Sequence, residues 1–304
     1  MNNDLTTFQF NPAKKIGLEK LQCAECKKPL SLISSKNLSC INKHIFQIHN
    51  NVPILLSKDS EQYLQISHTS SAAEIMKDEY NLLRKKTIKK IIKQVTAIPS
   101  VSLRMYDTEK LLDKLTDNEN PKVFVLSIGG GPGRNRKTIV NLNIDTYPNV
   151  EIVGDAHNLP FKDNSVDGVV INAVLEHLEY PAVAVREIYR VLKKGGFVLA
   201  ETPFLQHYHG YPFHFQNYTV TGHNMLFQKF KILESGAIDG PFTTVTTLIT
   251  NIPEDLITNK YIRKIVLYVI SVCLLPIRFL DLFLKHNPNI YKLTNGVYLF
   301  GQKD

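Results

Sequence analysis

Cysteine is scarce in this chain of 304 residues, four in all, and its placement argues against a disulfide framework. Cys23, Cys26 and Cys40 lie close together near the N-terminus, while Cys273 stands alone in an apolar stretch. A cluster of three cannot pair off, and it points to a metal site whose fourth ligand is of another type. Internal repeats and low-complexity tracts are also absent. Neither terminus carries the charged segment followed by an apolar run that a secretory signal needs, so a cytoplasmic protein is expected. The remaining composition, 43% hydrophobic and 21% charged, is ordinary for a globular protein. The length suits one α/β domain with a core of its own plus a smaller unit.

The formal net charge of +8 is concentrated partly between Lys77 and Lys93, where Arg84, Lys85, Lys86, Lys89, Lys90 and Lys93 crowd together. Such a run suits phosphate, in RNA or at a membrane surface. Ile88, Ile91, Ile92 and Val95 interleave at helical spacing, however, and a helix with a solvated basic face is the preferred reading of the run.

The composition shifts along the chain set expected boundaries. Residues 1–57 carry the Cys/His cluster, 58–120 form a helical, basic connecting segment, 121–240 a core, and 241–304 an apolar helical extension with a final strand. Within the core, short apolar runs at 123–128, 139–144, 150–153, 168–172 and 197–200 alternate with turns, as βα units do. Their polar C-terminal ends mark the edge at which ligands bind in an open parallel sheet. Residues 181–193 read as a helix with Pro181 in its first turn and Gly195 as its stop. Between Gly133 and Ile139, and between Asp145 and Val150, there is no room for a full helix, so the first two crossovers are expected to be trimmed. The window 265–284 is the most apolar, yet Pro276, Arg278 and Asp281 interrupt it. A buried or interface-lying helix is expected there rather than a membrane span.

Cys23, Cys26, Cys40 and His44 follow the spacing C-x2-C-x13-C-x3-H. Two tight knuckles of this kind complete a tetrahedron of three sulfurs and one imidazole, which suits zinc, with His49 as a rival fourth ligand. A metal replaces the core that so short a segment can hardly build alone. The segment 21–56, with its CxxC, its Cys40-Ile-Asn-Lys-His44-Ile-Phe knuckle and its closing Asn51-Val-Pro-Ile-Leu-Leu56, resembles the Trm112-like zinc-ribbon family. It is similar also to the N-terminal ribbon of certain rRNA guanine methyltransferases. The resemblance implies a structural zinc and a role beside a methyltransferase.

The first core strand ends in Gly129, Gly130, Gly131, Pro132 and Gly133. This G-x-G-x-G spacing differs from the dinucleotide fingerprint, and no Gly-Lys-Ser/Thr follows as a nucleotide loop requires. After it come Asp145, then Gly154-Asp-Ala-His-Asn-Leu-Pro-Phe161, Asp163-Asn-Ser-Val-Asp-Gly-Val-Val170, Val174-Leu-Glu-His-Leu178 and Arg190-Val-Leu-Lys-Lys-Gly-Gly196. In this order the motifs resemble class I S-adenosylmethionine-dependent methyltransferases, in the branch that includes ubiquinone and menaquinone methyltransferases. The resemblance spans 123 to about 235 and implies a Rossmann-like α/β sheet that binds S-adenosyl-L-methionine.

It implies roles as well. Gly129, Gly131 and Gly133 would pass beneath the methionine part of the cofactor, and Asp145 would accept from the ribose hydroxyls. Asp155 would take the adenine amino group, with Ala156 giving a backbone N–H and Leu159 an apolar wall. Asn172 and Glu176 would lie beside the cofactor. Ser127 stands where the family usually has an acid, and Asp155 competes with Asp145 for the ribose.

Residues 201–219 gather histidines and aromatics in a loop at the expected ligand edge. Histidine can take a proton from a hydroxyl or amine as a methyl group arrives, and His209, His214 and His177 are the expected catalytic residues. No carboxylate lies among the loop's histidines at ligand spacing, which argues against a second metal there. The reading is O- or N-methylation of a small molecule, glycan or lipid-linked metabolite, with peripheral membrane contact through 265–284. The alternatives are rRNA base methylation, which would make RNA the partner, and a catalytically silent binding protein of the same fold.

Overall fold

The computed structural model describes residues 7–11, 14–61, 103–116, 123–130, 139–147, 149–210 and 213–304. Gly131, Gly133 and the basic run 77–93 lie outside the described residues. β1 (Thr7–Asn11) and β2 (Lys14–Gly17) pair by themselves as an antiparallel hairpin.

The Cys/His segment forms β3 (Leu30–Ser34), β4 (Asn37–Cys40), β5 (Ile45–His49) and β6 (Val52–Leu55), each antiparallel to the next. Alternate residues point inward, so Leu38, Phe46, Ile48 and Pro53 are buried between exposed or half-exposed neighbours. Asn50 and Asn51 both take positive φ, +50° and +65°, in the two-residue turn between β5 and β6. Asparagine tolerates that conformation, and such a turn matches the twist of the paired strands.

The core strands are β7 (Val125–Ile128), β8 (Ile139–Asn143), β9 (Ile152–Gly154), β10 (Val166–Asn172) and β11 (Leu192–Pro203). They run parallel in the order β9-β8-β7-β10-β11, and antiparallel β13 (Gly296–Gln302) and β12 (Lys231–Ala237) complete that side. This is the Rossmann-like mixed sheet that the sequence motifs imply. Both faces are covered at the centre of the sheet, where β7, β8, β9 and β10 are buried along most of their length. Val125, Val170, Leu199 and Phe300 face Leu111 and Leu115 of α1 (Thr108–Thr116). Leu126, Ile128, Val169 and Ile171 belong to the opposite layer with Ala184, Val185 and Ile188 of α2 (Pro181–Val191). That helix ends at Val191 rather than near Gly195, which lies inside β11 with φ +79°. No helix separates β8 from β9 among the described residues, so that crossover is a turn.

The Cys/His segment is built into the same sheet. β6 pairs in parallel with β9, Ile54 opposite Val153 and Leu55 opposite Gly154, giving eleven continuous strands. A second seam forms where the Gln22 N–H donates to the Pro160 carbonyl at 3.0 Å and the Lys162 N–H to the Lys20 carbonyl at 2.9 Å. Leu21, Leu30 and Leu38 share one apolar cluster with Leu159 and Phe161.

α3 (Val220–Leu226) precedes β12, and α4 (Pro241–Leu256), α5 (Lys260–Arg278) and α6 (Asp281–Leu284) are inserted between β12 and β13. Asp281 caps α4, its carboxylate accepting from the N–H groups of Phe242 and Thr243 at 2.9 and 2.8 Å. Of the two expectations for 265–284, a buried or an interface-lying helix, burial is corrected. Leu267 and Ser271 are buried, but Ile262, Ile265, Val269, Val272, Leu282 and Phe283 are exposed. By length and composition Lys260–Leu284 could cross a membrane.

Candidate active site and metal centre

The four ligand candidates of the N-terminal segment converge. Cys23 Sγ and Cys40 Sγ lie 3.4 and 3.5 Å from His44 Nδ1, and Cys26 Sγ lies 3.6 Å from Cys40 Sγ. A tetrahedron with metal–ligand bonds of about 2.1–2.3 Å has edges of about 3.4–3.8 Å, so the set fits zinc. Each knuckle turns on a residue of positive φ, Lys27 (+59°) and Lys43 (+63°), whose N–H returns to the carbonyl of Cys23 or Cys40 at 2.9 Å. The Lys28 N–H holds the Cys26 thiol down at about 6, toward the thiolate a metal needs, while burial pushes Cys23 up to about 12. His49, on β5, has no place in this set.

At the C-terminal strand ends, Gly129 follows β7 with φ +69°, and a Cβ there would stand 2.2 Å from Val174 Cγ2. Only glycine fits both the backbone and the space. Asp145 lies in the turn after β8, where its carboxylate accepts from the Thr146 N–H at 2.6 Å. Asp155 follows β9 and is occupied: Oδ1 accepts from the His157 N–H at 2.8 Å and faces His157 Nδ1 at 2.9 Å, and Oδ2 accepts from Ser60 at 2.7 Å. Burial raises its pKa, but these donors outweigh burial and hold it below the usual carboxylate range. Ala156 is buried in the single helical turn Ala156–Asn158, and Leu159 is fully buried beyond it. Asn172 ends β10 with its side-chain oxygen buried and unpaired among the described residues.

The histidine loop folds back over the turn after β10. The Phe215 N–H donates to the Glu176 carbonyl at 2.8 Å, and the Gln216 amide donates to the carbonyls of Leu175 and Leu178. This brings His177, His209 and His214 together, with ring centres 4.3–5.8 Å apart. Glu176 joins them from beneath, wholly buried, its Oε1 lying 3.7 Å from His177 Nε2 and 3.8 Å from His209 Nε2. The expectation that no carboxylate stands among these histidines is thereby corrected. Burial lowers the pKa of His177, whereas the Glu176 carboxylate raises that of His209. His214 is engaged at both nitrogens, Nδ1 accepting from the His209 N–H at 3.1 Å and Nε2 facing Asn217 Oδ1 at 2.6 Å. His207 turns to Asn251 of α4 at 2.6 Å.

Residues 126–200 match the family model described as a methyltransferase domain. This segment is a methyltransferase domain. It contains β7 through most of β11, with Gly129, Asp145, Asp155, Asn172 and Glu176 at the strand ends. An uncharacterized protein of Methanocaldococcus jannaschii is 34% identical over 90 residues, 26% of this chain and 44% of that protein. Demethylmenaquinone methyltransferase of Staphylococcus haemolyticus is 48% identical over 52 residues, 17% of this chain and 22% of the enzyme. The chain thus spans less than half the length of either relative. A solved putative methyltransferase of Bacillus halodurans aligns at 17% identity and a TM-score of 0.39, covering 65% of this chain and 98% of that one.

In and around the methyltransferase domain stand residues that the motifs, Ser127 apart, did not single out. Glu201, near the end of β11, accepts from Arg104 at 2.7 Å and from the Tyr106 hydroxyl, and Tyr106 stacks on Tyr298 at 3.7 Å. Behind the glycine loop, Ser127, Asn141 and Glu151 are buried, and Glu151 accepts from the Asn141 N–H at 2.6 Å. The Asn143 amide donates to the Gly130 carbonyl at 3.1 Å, tying the loop to the end of β8. An acid inside the apolar run 150–153, immediately before β9, was the one sequence signal for Glu151.

Proposed function

We propose that the chain transfers a methyl group from S-adenosyl-L-methionine to an oxygen or nitrogen of a small molecule, glycan or lipid-linked metabolite. The observation that carries this reading is the match of 126–200 to a methyltransferase domain, with the cofactor candidates at the strand ends. Gly129, Gly131 and Gly133 cradle the methionine part, Asp145 holds the ribose, and Asp155, Ala156 and Leu159 line the adenine. Asn172 and Glu176 complete that side. The cofactor supplies an electrophilic methyl group, and the protein aligns the acceptor with it.

The acceptor side is served by Glu176, His177 and His209, which hold the reacting hydroxyl or amine and ease its deprotonation, while His214 orients His209. The exposed apolar face of α5 and α6, beside α4 whose Asn251 meets His207 of the loop, favours an acceptor that carries a lipid or lies at a membrane surface. A structural zinc in the Cys23, Cys26, Cys40 and His44 site secures the ribbon, with no coordination position left for chemistry.

Titration calorimetry with S-adenosylmethionine tests the first step. Saturable binding is expected, abolished in Gly131→Arg and weakened by about 1–3 kcal/mol in Asp145→Ala. A chain that binds neither S-adenosylmethionine nor S-adenosylhomocysteine is a silent scaffold. With an acceptor in hand, His209→Ala should lower turnover about 100-fold at nearly constant cofactor affinity.

A further inference from the structure

We infer that Glu176, His177 and His209 bind a divalent transition-metal cation, separate from the ribbon zinc, with coordination positions left open toward the acceptor. The donor atoms Glu176 Oε1, His177 Nε2 and His209 Nε2 all lie within 4.8 Å of one another. Two imidazoles and one carboxylate are a common protein donor set for first-row divalent cations in sites that keep room for a further ligand.

The hydrogen bonds fix which nitrogens are offered. His177 Nδ1 lies 2.6 Å from the Phe213 carbonyl, and His209 Nδ1 lies 3.0 Å from the His207 carbonyl. A carbonyl can only accept, so each Nδ1 carries the hydrogen and each neutral ring presents an Nε2 lone pair to the carboxylate. Metal-binding histidines are oriented in this way, their other N–H given to a carbonyl or carboxylate. Three electron-rich atoms therefore face one another. Neither oxygen of Glu176 has a hydrogen-bond partner among the described residues, although the side chain is fully buried. At 3.7 and 3.8 Å the contacts are too long for hydrogen bonds, so a proton on one ring does not satisfy the carboxylate. A cation between the three atoms does, after the two edges to Glu176 close by about 0.3–0.8 Å to the span of about 2.1 Å bonds and the histidine–histidine edge, within 4.8 Å, closes to match. Burial is lopsided: Glu176 is closed off while the side chains of His177 and His209 are 19% and 23% exposed. The open positions consequently lie on the histidine side. A role in acidifying a bound acceptor, whose proton then passes to water, rests on the methyltransferase reading; the binding of the cation does not.

Cobalt chloride titrated into the full chain, with the ribbon already loaded with zinc, tests the site. One further saturable equivalent is expected, with visible d–d absorption and none of the thiolate charge-transfer that exchange into the ribbon would produce. Glu176→Gln and His209→Ala should each weaken it about 100-fold or more, with circular dichroism and ribbon zinc unchanged. Should both variants misfold, the wild type still decides: two exchangeable, paramagnetically shifted imidazole protons are expected, the Nδ1–H groups of His177 and His209. Absence of saturable cobalt, equal affinity in folded variants, or fewer than two such protons overturns the site. If cobalt fails to bind but His209→Ala still lowers turnover, the cluster acts as a general base. If cobalt binds but S-adenosylmethionine does not, the methyltransferase reading fails alone.

Discussion

Ser60 gives its hydroxyl to the Asp155 carboxylate across 2.7 Å, joining the chain just beyond the ribbon to the turn that follows β9. The same turn is held from the other side by the Asn158 amide, which donates to the Ala24 carbonyl at 2.8 Å, within the CxxC knuckle. The segment proposed to line the adenine is thus clamped between the end of the Cys/His segment and its CxxC turn.

Ser60→Ala and Asp155→Ala separate anchoring from cofactor contact. Ser60→Ala should lower the free energy of unfolding by about 1.5–3 kcal/mol, the worth of one hydrogen bond to a charged group, and leave cofactor affinity within about twofold. Asp155→Ala should cost more and weaken the cofactor as well. Urea unfolding and calorimetry check both; equal cofactor affinity in the two variants would confine Asp155 to the fold.

Removal of one ribbon ligand should be felt in the core. Wild-type protein is expected to carry at least one equivalent of zinc per chain, and Cys26→Ser to carry one fewer. Because Leu21 and Leu38 pack with Leu159 and Phe161, the variant should also melt earlier and bind S-adenosylmethionine more weakly. Undiminished zinc in Cys26→Ser would refute the site.

The strands were readable in advance because each is a short apolar run closed by a turn, and the cysteines because their spacing has one sensible chemistry. The meeting of Glu176 with His209 was not readable. It depends on the 204–218 loop returning to the turn after β10, and the backbone hydrogen bond from Phe215 to Glu176 that secures this leaves no mark in side-chain pattern. The parallel pairing of β6 with β9 is hidden for the same reason. The apolar character of α5 was plain, whereas its exposure depends on what packs against it.

His223 should make the fold acid-sensitive. It is fully buried in α3, its ring 5.1 Å from that of Phe227, and burial alone pushes its pKa down to about 3. The unfolded chain titrates near about 6.5, so protons favour unfolding. The stability tied to neutral His223 is whole above about pH 6.5 and is lost toward pH 3 at up to about 1.4 kcal/mol per pH unit. His223→Leu should flatten the fall in urea midpoint between pH 6 and 4; parallel profiles for the two proteins would show that His223 does not drive it.

Gly129→Ala should be costly for two separable reasons. A left-handed backbone costs a residue with a Cβ about 1–2 kcal/mol, and the new methyl meets Val174 at 2.2 Å. Val174→Ala in the same chain should recover the steric part and leave the backbone part. Melting temperatures of the two single variants and the double variant measure this coupling, and simple additivity would mean that the two residues do not touch.

The pairing of β6 with β9 carries a consequence for solubility. A bare β9 would present a row of unpaired N–H and C=O groups, a template on which a second molecule could add a strand. In the folded chain that row is capped in cis by the ribbon. If the proposed ribbon metal holds that cap in place, chelation should first produce self-associated, still helical protein rather than an unfolded monomer, and a metal there would guard against aggregation at a distance.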